Sequence, residues 1–208
     1  MIDRIGTPPG RILDAGCGNG RHLLALRELG LPAFGCDLSE HLLKTASSRG
    51  PVLRCDLRSI PLASRSFGLV ASFFTGFGYF ESRSDDIVML AELARLVAPG
   101  GWLHLDLPDR DHVRSHLVPS DEQRWEDARV TQRRIVQGDL SAKLIIVEKD
   151  DGTRSEYFER VRLWNTEHLE VIAKRLGFES VFRLGDLRGT PWKPGSPRCG
   201  LVLRRVRP

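Results

Sequence analysis

No stretch of the 208 residues approaches the roughly 20 consecutive apolar positions needed to span a bilayer. Residues 1–10 also lack a basic region followed by an apolar one, so no signal peptide is expected and the protein is expected to be cytoplasmic. Cysteine is scarce. Cys17, Cys36, Cys55 and Cys199 form no C-x-x-C pair and no zinc spacing, so they are expected to pack as small apolar residues and no metal site is expected. An excess of one charge is missing too: 31 basic residues stand against 27 acidic ones, and acidic residues interrupt the basic ones through most of the chain. Only Arg133-Arg134 and the tail 203–207 are locally basic, as a solvated strand face or tail would be. A nucleic-acid binder more often shows a basic run, so nucleic acid is not an expected partner. Internal repeats and low-complexity segments are absent as well.

What is present is a core-forming chain, 41% hydrophobic, long enough for one domain with one inserted subdomain. The first half alternates short apolar runs with amphipathic stretches, the pattern of a parallel sheet flanked by helices. Strands are expected at 11–15, 33–37, 52–55, 67–73 and 102–107. Helices are expected between them. The first presents Leu23, Leu26 and Leu29; the second is capped by Ser39 and packs Leu42, Leu43 and Ala46. The third is capped by Ser84, carries Ile87, Leu90, Ala91, Ala94 and Val97, and ends at Pro99-Gly100-Gly101. A last helix, capped by Thr166 and closed by Gly177, precedes strands at 178–184 and 199–206, which bring the count to seven. Between these halves, 129–136, 140–149 and 155–163 read as antiparallel strands, with Asp151-Gly152 as a hairpin turn; 112–125 reads as a short helix or a loop. The expected fold is therefore α/β, a doubly wound, Rossmann-like, seven-stranded and mostly parallel sheet formed by 1–108 and 165–208. An antiparallel β segment, 109–164, is inserted in it.

The sharpest motif is Asp14-Ala15-Gly16-Cys17-Gly18-Asn19-Gly20 at the end of the first strand. A strand emptying through glycines into a helix lets a ligand lie against bare backbone, with N–H groups and the positive helix end facing it. The dinucleotide fingerprint G-x-G-x-x-G needs glycine or alanine at its sixth position, where this chain has Arg21. Asp37, at the end of the second strand, stands where an acid accepts from two vicinal ribose hydroxyls. Asp56 and Leu57 follow the third strand. Phe73, Phe74, Phe77, Tyr79 and Phe80 cluster with Gly76 and Gly78 after the fourth, where doubly wound sheets bind ligands.

With its E/D-x-G-x-G-x-G motif, the chain resembles the class I S-adenosylmethionine-dependent methyltransferases, closely over 11–107 and more loosely over the last helix and two strands. The resemblance implies S-adenosylmethionine as cofactor. It places Gly16, Cys17, Gly18 and Gly20 along the methionine and ribose part, and Asp14 as orienting the turn or meeting the amino group. It further implies Asp37 on the ribose, Leu38 on the adenine, and Asp56 and Leu57 at the adenine amino group and ring. Phe73 becomes part of a wall between cofactor and acceptor. Two departures stand out. Phe67-Gly68 replaces the frequent Phe-Asp, and only ten residues precede the first strand, where relatives usually carry a segment that helps cover the pocket. Either the site is open or the insertion supplies its lid.

Methyl transfer needs a base only if the acceptor must lose a proton first. Tyr79, Asp106, His112, His116, Tyr157 and Arg160 are the candidates, while His104 alternates with apolar residues and is expected to be structural. The chain has no Asn-Pro-Pro-Tyr after the fourth strand, no Pro-Cys pair, and no acids placed as in magnesium-dependent catechol enzymes. The resemblance is greatest to bacterial enzymes acting on small molecules, so the expected function is methyl transfer to an O or N of a small-molecule acceptor. Homodimerisation through the inserted strands is possible within that expectation. An RNA or protein methyltransferase is the alternative, favoured if Arg129, Arg133, Arg134, Arg160 and Arg162 form a basic face. A non-catalytic S-adenosylmethionine-binding module is the third.

Overall fold

The computed structural model describes residues 1–74 and 76–206; Thr75, Arg207 and Pro208, which belong to the aromatic segment and the basic tail noted above, lie outside it. A short helix α1 (Ile2–Ile5) leads into β1 (Ile12–Ala15), α2 (Arg21–Glu28), β2 (Ala33–Asp37), α3 (Glu40–Ala46), β3 (Val52–Arg54) and β4 (Phe67–Ser72). Next come α4 (Arg83–Leu96), β5 (Val97–Pro108), α5 (Arg110–Ser115) and four antiparallel strands. These are β6 (Ser120–Trp125), β7 (Ala128–Gln137), β8 (Leu140–Lys149) and β9 (Arg154–Arg162). The chain then returns through α6 (Thr166–Arg175), β10 (Phe178–Leu184) and β11 (Arg198–Arg205).

The main sheet has the order β10-β11-β5-β4-β1-β2-β3, parallel except that β11 opposes both of its neighbours. Every residue of β1 and β4 is buried, as expected for central strands covered on both faces. Alternate residues feed two layers: Leu13, Val70, Leu103 and Leu105 pack with α4 and α6, whereas Ile12, Leu69 and Ala71 pack with Leu23 and Leu26 of α2. From β1 the chain builds outward to β2 on one side and to β4 on the other. That switch point is where doubly wound sheets leave a crevice at the strand ends.

Gly68 has a steric cause. A Cβ there would lie 1.7 Å from the Pro9 carbonyl oxygen, so close passage of residue 9 replaces the acid frequent in relatives.

Several expectations need correction. The α4 cap is Ser82, whose hydroxyl accepts from the Asp85 N–H, because the helix begins one residue before Ser84; Ile87 is partly exposed, and Met89, Leu90, Leu93 and Ala94 form the buried stripe. The α6 cap is Asn165 rather than Thr166. Pro99-Gly100-Gly101 lies inside β5, where a register shift against β4 absorbs it. Residues 112–125 split between α5 and β6, which pairs along its whole length with β7. The expected basic face forms in part: four of the five arginines share one face of the inserted sheet, and three of those four are ion-paired. Arg134 points away from the other four; it pairs with Asp121, Arg129 with Glu122, Arg160 with Glu81, and Arg162 with Asp86 and Asp139.

Candidate cofactor and acceptor site

Gly16, Gly18 and Gly20 all take the left-handed conformation, with φ of 77°, 54° and 82°. The turn is fixed from below, since the Gly16 and Cys17 N–H groups both donate to the Cys36 carbonyl at 2.8 and 3.0 Å. Asp37 braces it from the side: Oδ2 accepts from the Gly18 N–H and Oδ1 from the Ser39 N–H, each at 2.8 Å. Each carboxylate oxygen keeps a second lone pair, so both can still accept a hydroxyl.

A cleft of about 540 Å³ opens over this turn. Gly16, Cys17, Gly18, Asp37 and Leu38 line one side; Asp56, Leu57, Phe73, Tyr79 and Phe80 line the other. Asp14 and Gly20 stand behind it. Asp14 is buried with neither carboxylate oxygen hydrogen-bonded, and burial, helped by the charge of Asp37, pushes its carboxyl up to about 7. An orphaned buried acid beneath a glycine turn suits a ligand that brings a cationic amine, which would return it to the carboxylate. Leu38 is largely exposed, offering a face to a flat ring. Asp56 is already committed: Arg58 grips it through its backbone N–H and its guanidinium, which holds the Asp56 carboxyl below its ordinary value. The Cys17 thiol is pushed up to about 12 by burial and by Asp14, so it is inert at neutral pH.

A second cleft, of about 610 Å³, adjoins the first, and Arg21, His22, Phe73 and Phe74 line both. Met1 and Ile2 form part of its outer side. Phe73 thus divides two chambers, with His22 stacked on it at 4.8 Å between centroids and His104 at 5.4 Å. His104 is buried, its Nδ1 lies 3.2 Å from the Leu201 carbonyl oxygen, and burial pushes it down to about 4. The strained residue here is Phe74, a bulky side chain at φ 49°. Its N–H donates to Asp106, and its ring lies between the guanidinium groups of Arg21 at 4.7 Å and Arg198 at 5.4 Å.

Of the six candidate bases, the fold brings two to these chambers. Tyr79 lines the first, its phenol raised by burial and by Glu159. Asp106 lines the second, but Phe74 N–H at 2.8 Å and Arg198 Nε at 2.6 Å already occupy its two oxygens. His112 and His116 stack on each other instead, because the Asp109 cap turns α5 toward the 192–195 loop, where His112 meets the Gly195 carbonyl. Tyr157 lines a separate groove on the inserted sheet, and Arg160 faces Glu81. Missing from the candidates were Arg21 and His22. Their signal was positional: the first turn of a helix that follows a glycine turn faces the same ligand. No group of three or more metal-ligating side chains is assembled among the described residues, and no helix among them is long and apolar enough to cross a membrane.

Residues 12–101 match the family model described as a methyltransferase domain. The CcbJ methyltransferase of Streptomyces caelestis superposes with a TM-score of 0.86 at 17% identity, covering 98% of this chain and 87% of that one. CalS10, an amino pentose methyltransferase of Micromonospora echinaspora solved with S-adenosylmethionine bound, superposes at 0.74 and 24% identity over 98% and 87% of the two chains. By sequence, a probable tRNA methyltransferase 9B of Bos taurus is 29% identical over 133 residues, 61% of this chain and 28% of that protein. This chain spans less than half the length of the curated relatives it matches. The methyltransferase-domain match thus falls on the segment that carries the glycine turn, and the whole chain has the fold of these solved methyltransferases.

Proposed function

We propose that the protein transfers the methyl group of S-adenosylmethionine to an oxygen or nitrogen of a small molecule. The observation that carries this reading is the paired clefts with their common aromatic wall: one has the cofactor motif, the other is a half-open, mostly apolar cleft of small-molecule volume. When bound, the cofactor supplies an electrophilic methyl on a sulfonium. The chain's own part is positioning and exclusion of water. The Gly16–Gly20 turn and Asp14 would hold the amino-acid end, Asp37 the ribose hydroxyls, and Leu38 and Leu57 the adenine. Phe73 and Phe74 would keep water from the reacting atoms.

The insertion, 109–164, supplies no lining residue to either cleft among the described residues and joins this reading as the segment that pairs two copies. Trp125, Ile135, Tyr157 and Phe158 stand exposed on its faces, and a solution mass of twice 23.4 kDa would support the pairing. A tRNA acceptor is the second reading, favoured by the bovine relative's name, but this chain covers only 28% of that protein. The ion-paired arginines of the insertion weigh against it. Incubation with labelled cofactor and a metabolite extract should yield a labelled small product, and neither RNA nor heparin should retain the protein in a salt-dependent way. Salt-dependent retention together with labelled RNA would overturn the small-molecule reading.

A further inference from the structure

His22 belongs to neither the cofactor motif nor the core, yet it occupies the wall common to both clefts. Its ring is stacked on Phe73, and neither ring nitrogen has a hydrogen-bond partner among the described residues. A half-buried imidazole left open in this way can still take a proton. Three charged groups face it: Arg21 beside it on α2, Asp106 from β5 and Arg198 from β11, with Asp3 of α1 further out in the same cleft. Burial first, then Arg21, lower its proton affinity, so the ring is neutral at physiological pH.

The same charges discriminate between acceptors. Asp106 is spent on Arg198 and the Phe74 N–H, and Asp186 on Thr190 and two backbone N–H groups, so the one carboxylate of this cleft's lining left to an entering ammonium is the exposed Asp3. An oxygen that becomes anionic beside Arg21 is stabilised instead. The apolar remainder, with Leu26, Phe73 and Leu187, suits an aromatic body.

Building on the function proposed above, we infer that the second cleft binds a phenol-type acceptor and that His22 is the catalytic base that removes its hydroxyl proton. The O–H proton passes to the imidazole as the oxygen forms a bond to the methyl carbon. The methyl–sulfur bond breaks with its electron pair left on sulfur, and the imidazolium returns the proton to solvent.

The test combines wild type and His22→Gln with S-adenosylhomocysteine and with 4-nitrophenol, whose ionised form is coloured. Calorimetry should show S-adenosylhomocysteine bound by both proteins, which also certifies that the variant folds. In that complex wild type should bind 4-nitrophenol and ionise it at lower pH than free solution does; the variant should not. With labelled cofactor, a panel of small phenols should be methylated, and His22→Gln should lower kcat about 100-fold or more at neutral pH. The variant's rate should recover as rising pH ionises the phenol by itself. Equal kcat and equal pH profiles, or methylation of amines but not phenols, overturn the inference while leaving the methyltransferase assignment intact. Wild type that binds no S-adenosylhomocysteine removes the underlying function instead.

Discussion

Replacing Arg162 by Met is expected to cost about 3–5 kcal/mol of stability, the range for removing one partner of a buried ion pair. Arg162 ends β9 almost without solvent contact, and its guanidinium joins three segments. Nε lies 3.2 Å from Asp86 of α4, Nη1 lies 3.2 Å from Asp139 in the β7–β8 turn, and Nη2 donates to the Glu81 carbonyl at 2.8 Å. Asp86 is fully buried; besides Arg162 it has the Trp164 indole N–H at 2.9 Å, and its other oxygen has no partner. Burial already raises the Asp86 carboxyl above its ordinary value, although Trp164 and Arg162 pull it down. Without Arg162 the carboxyl rises further. A group whose folded value exceeds its unfolded one contributes stability below the unfolded value and loses it as pH climbs through the folded one. The deficit should therefore be largest near pH 7 and shrink toward pH 5. Urea unfolding at both values measures this, and adding Asp86→Asn should restore part of the loss. A pH-independent deficit under 1 kcal/mol would show that the cluster does not hold the insertion to the core.

That cluster also marks the limit of what the sequence discloses. Strand β2 stands at 33–37, β8 at 140–149 and β10 at 178–184, where apolar runs between turn residues announce them. Strand β6, Ser-Asp-Glu-Gln-Arg-Trp, has no apolar alternation; it is a strand only because β7 offers it a ladder, which is a tertiary fact. The caps moved for a local reason: Ser82 and Ser84, or Asn165 and Thr166, are equally good oxygens in sequence, and the entry angle of the chain selects between them. In the site, the residues on strand ends were legible because the glycine turn and the sheet fix them together. His22 and the commitment of Asp106 were not, since they depend on Phe73 and Arg198 arriving from other strands, the latter 92 residues away.

Gly18→Val should remove cofactor binding, with affinity reduced at least about 100-fold. Two separate penalties combine. Valine at φ 54° is strained by about 1–3 kcal/mol, which appears as a lower thermal midpoint of the free protein. The isopropyl group then stands at the lining of the cofactor cleft, where the nearest protein atom to its Cβ is Leu42 Cδ1 at 3.9 Å, so the branches meet the ligand rather than the fold. Gly18→Ala separates the two, because it keeps most of the strain and little of the bulk. Asp37→Ala attacks the same unit from the other side. It should weaken calorimetric affinity by about 1.5–3 kcal/mol, the worth of hydrogen bonds to a charged group, or roughly 10- to 150-fold. Because Asp37 also accepts from the Gly18 N–H, the double variant should lose less than the sum of the single ones. Affinity for S-adenosylmethionine unchanged in Gly18→Val would mean that the turn does not touch the cofactor. Strict additivity would mean that the brace between turn and acid is absent when the ligand is bound.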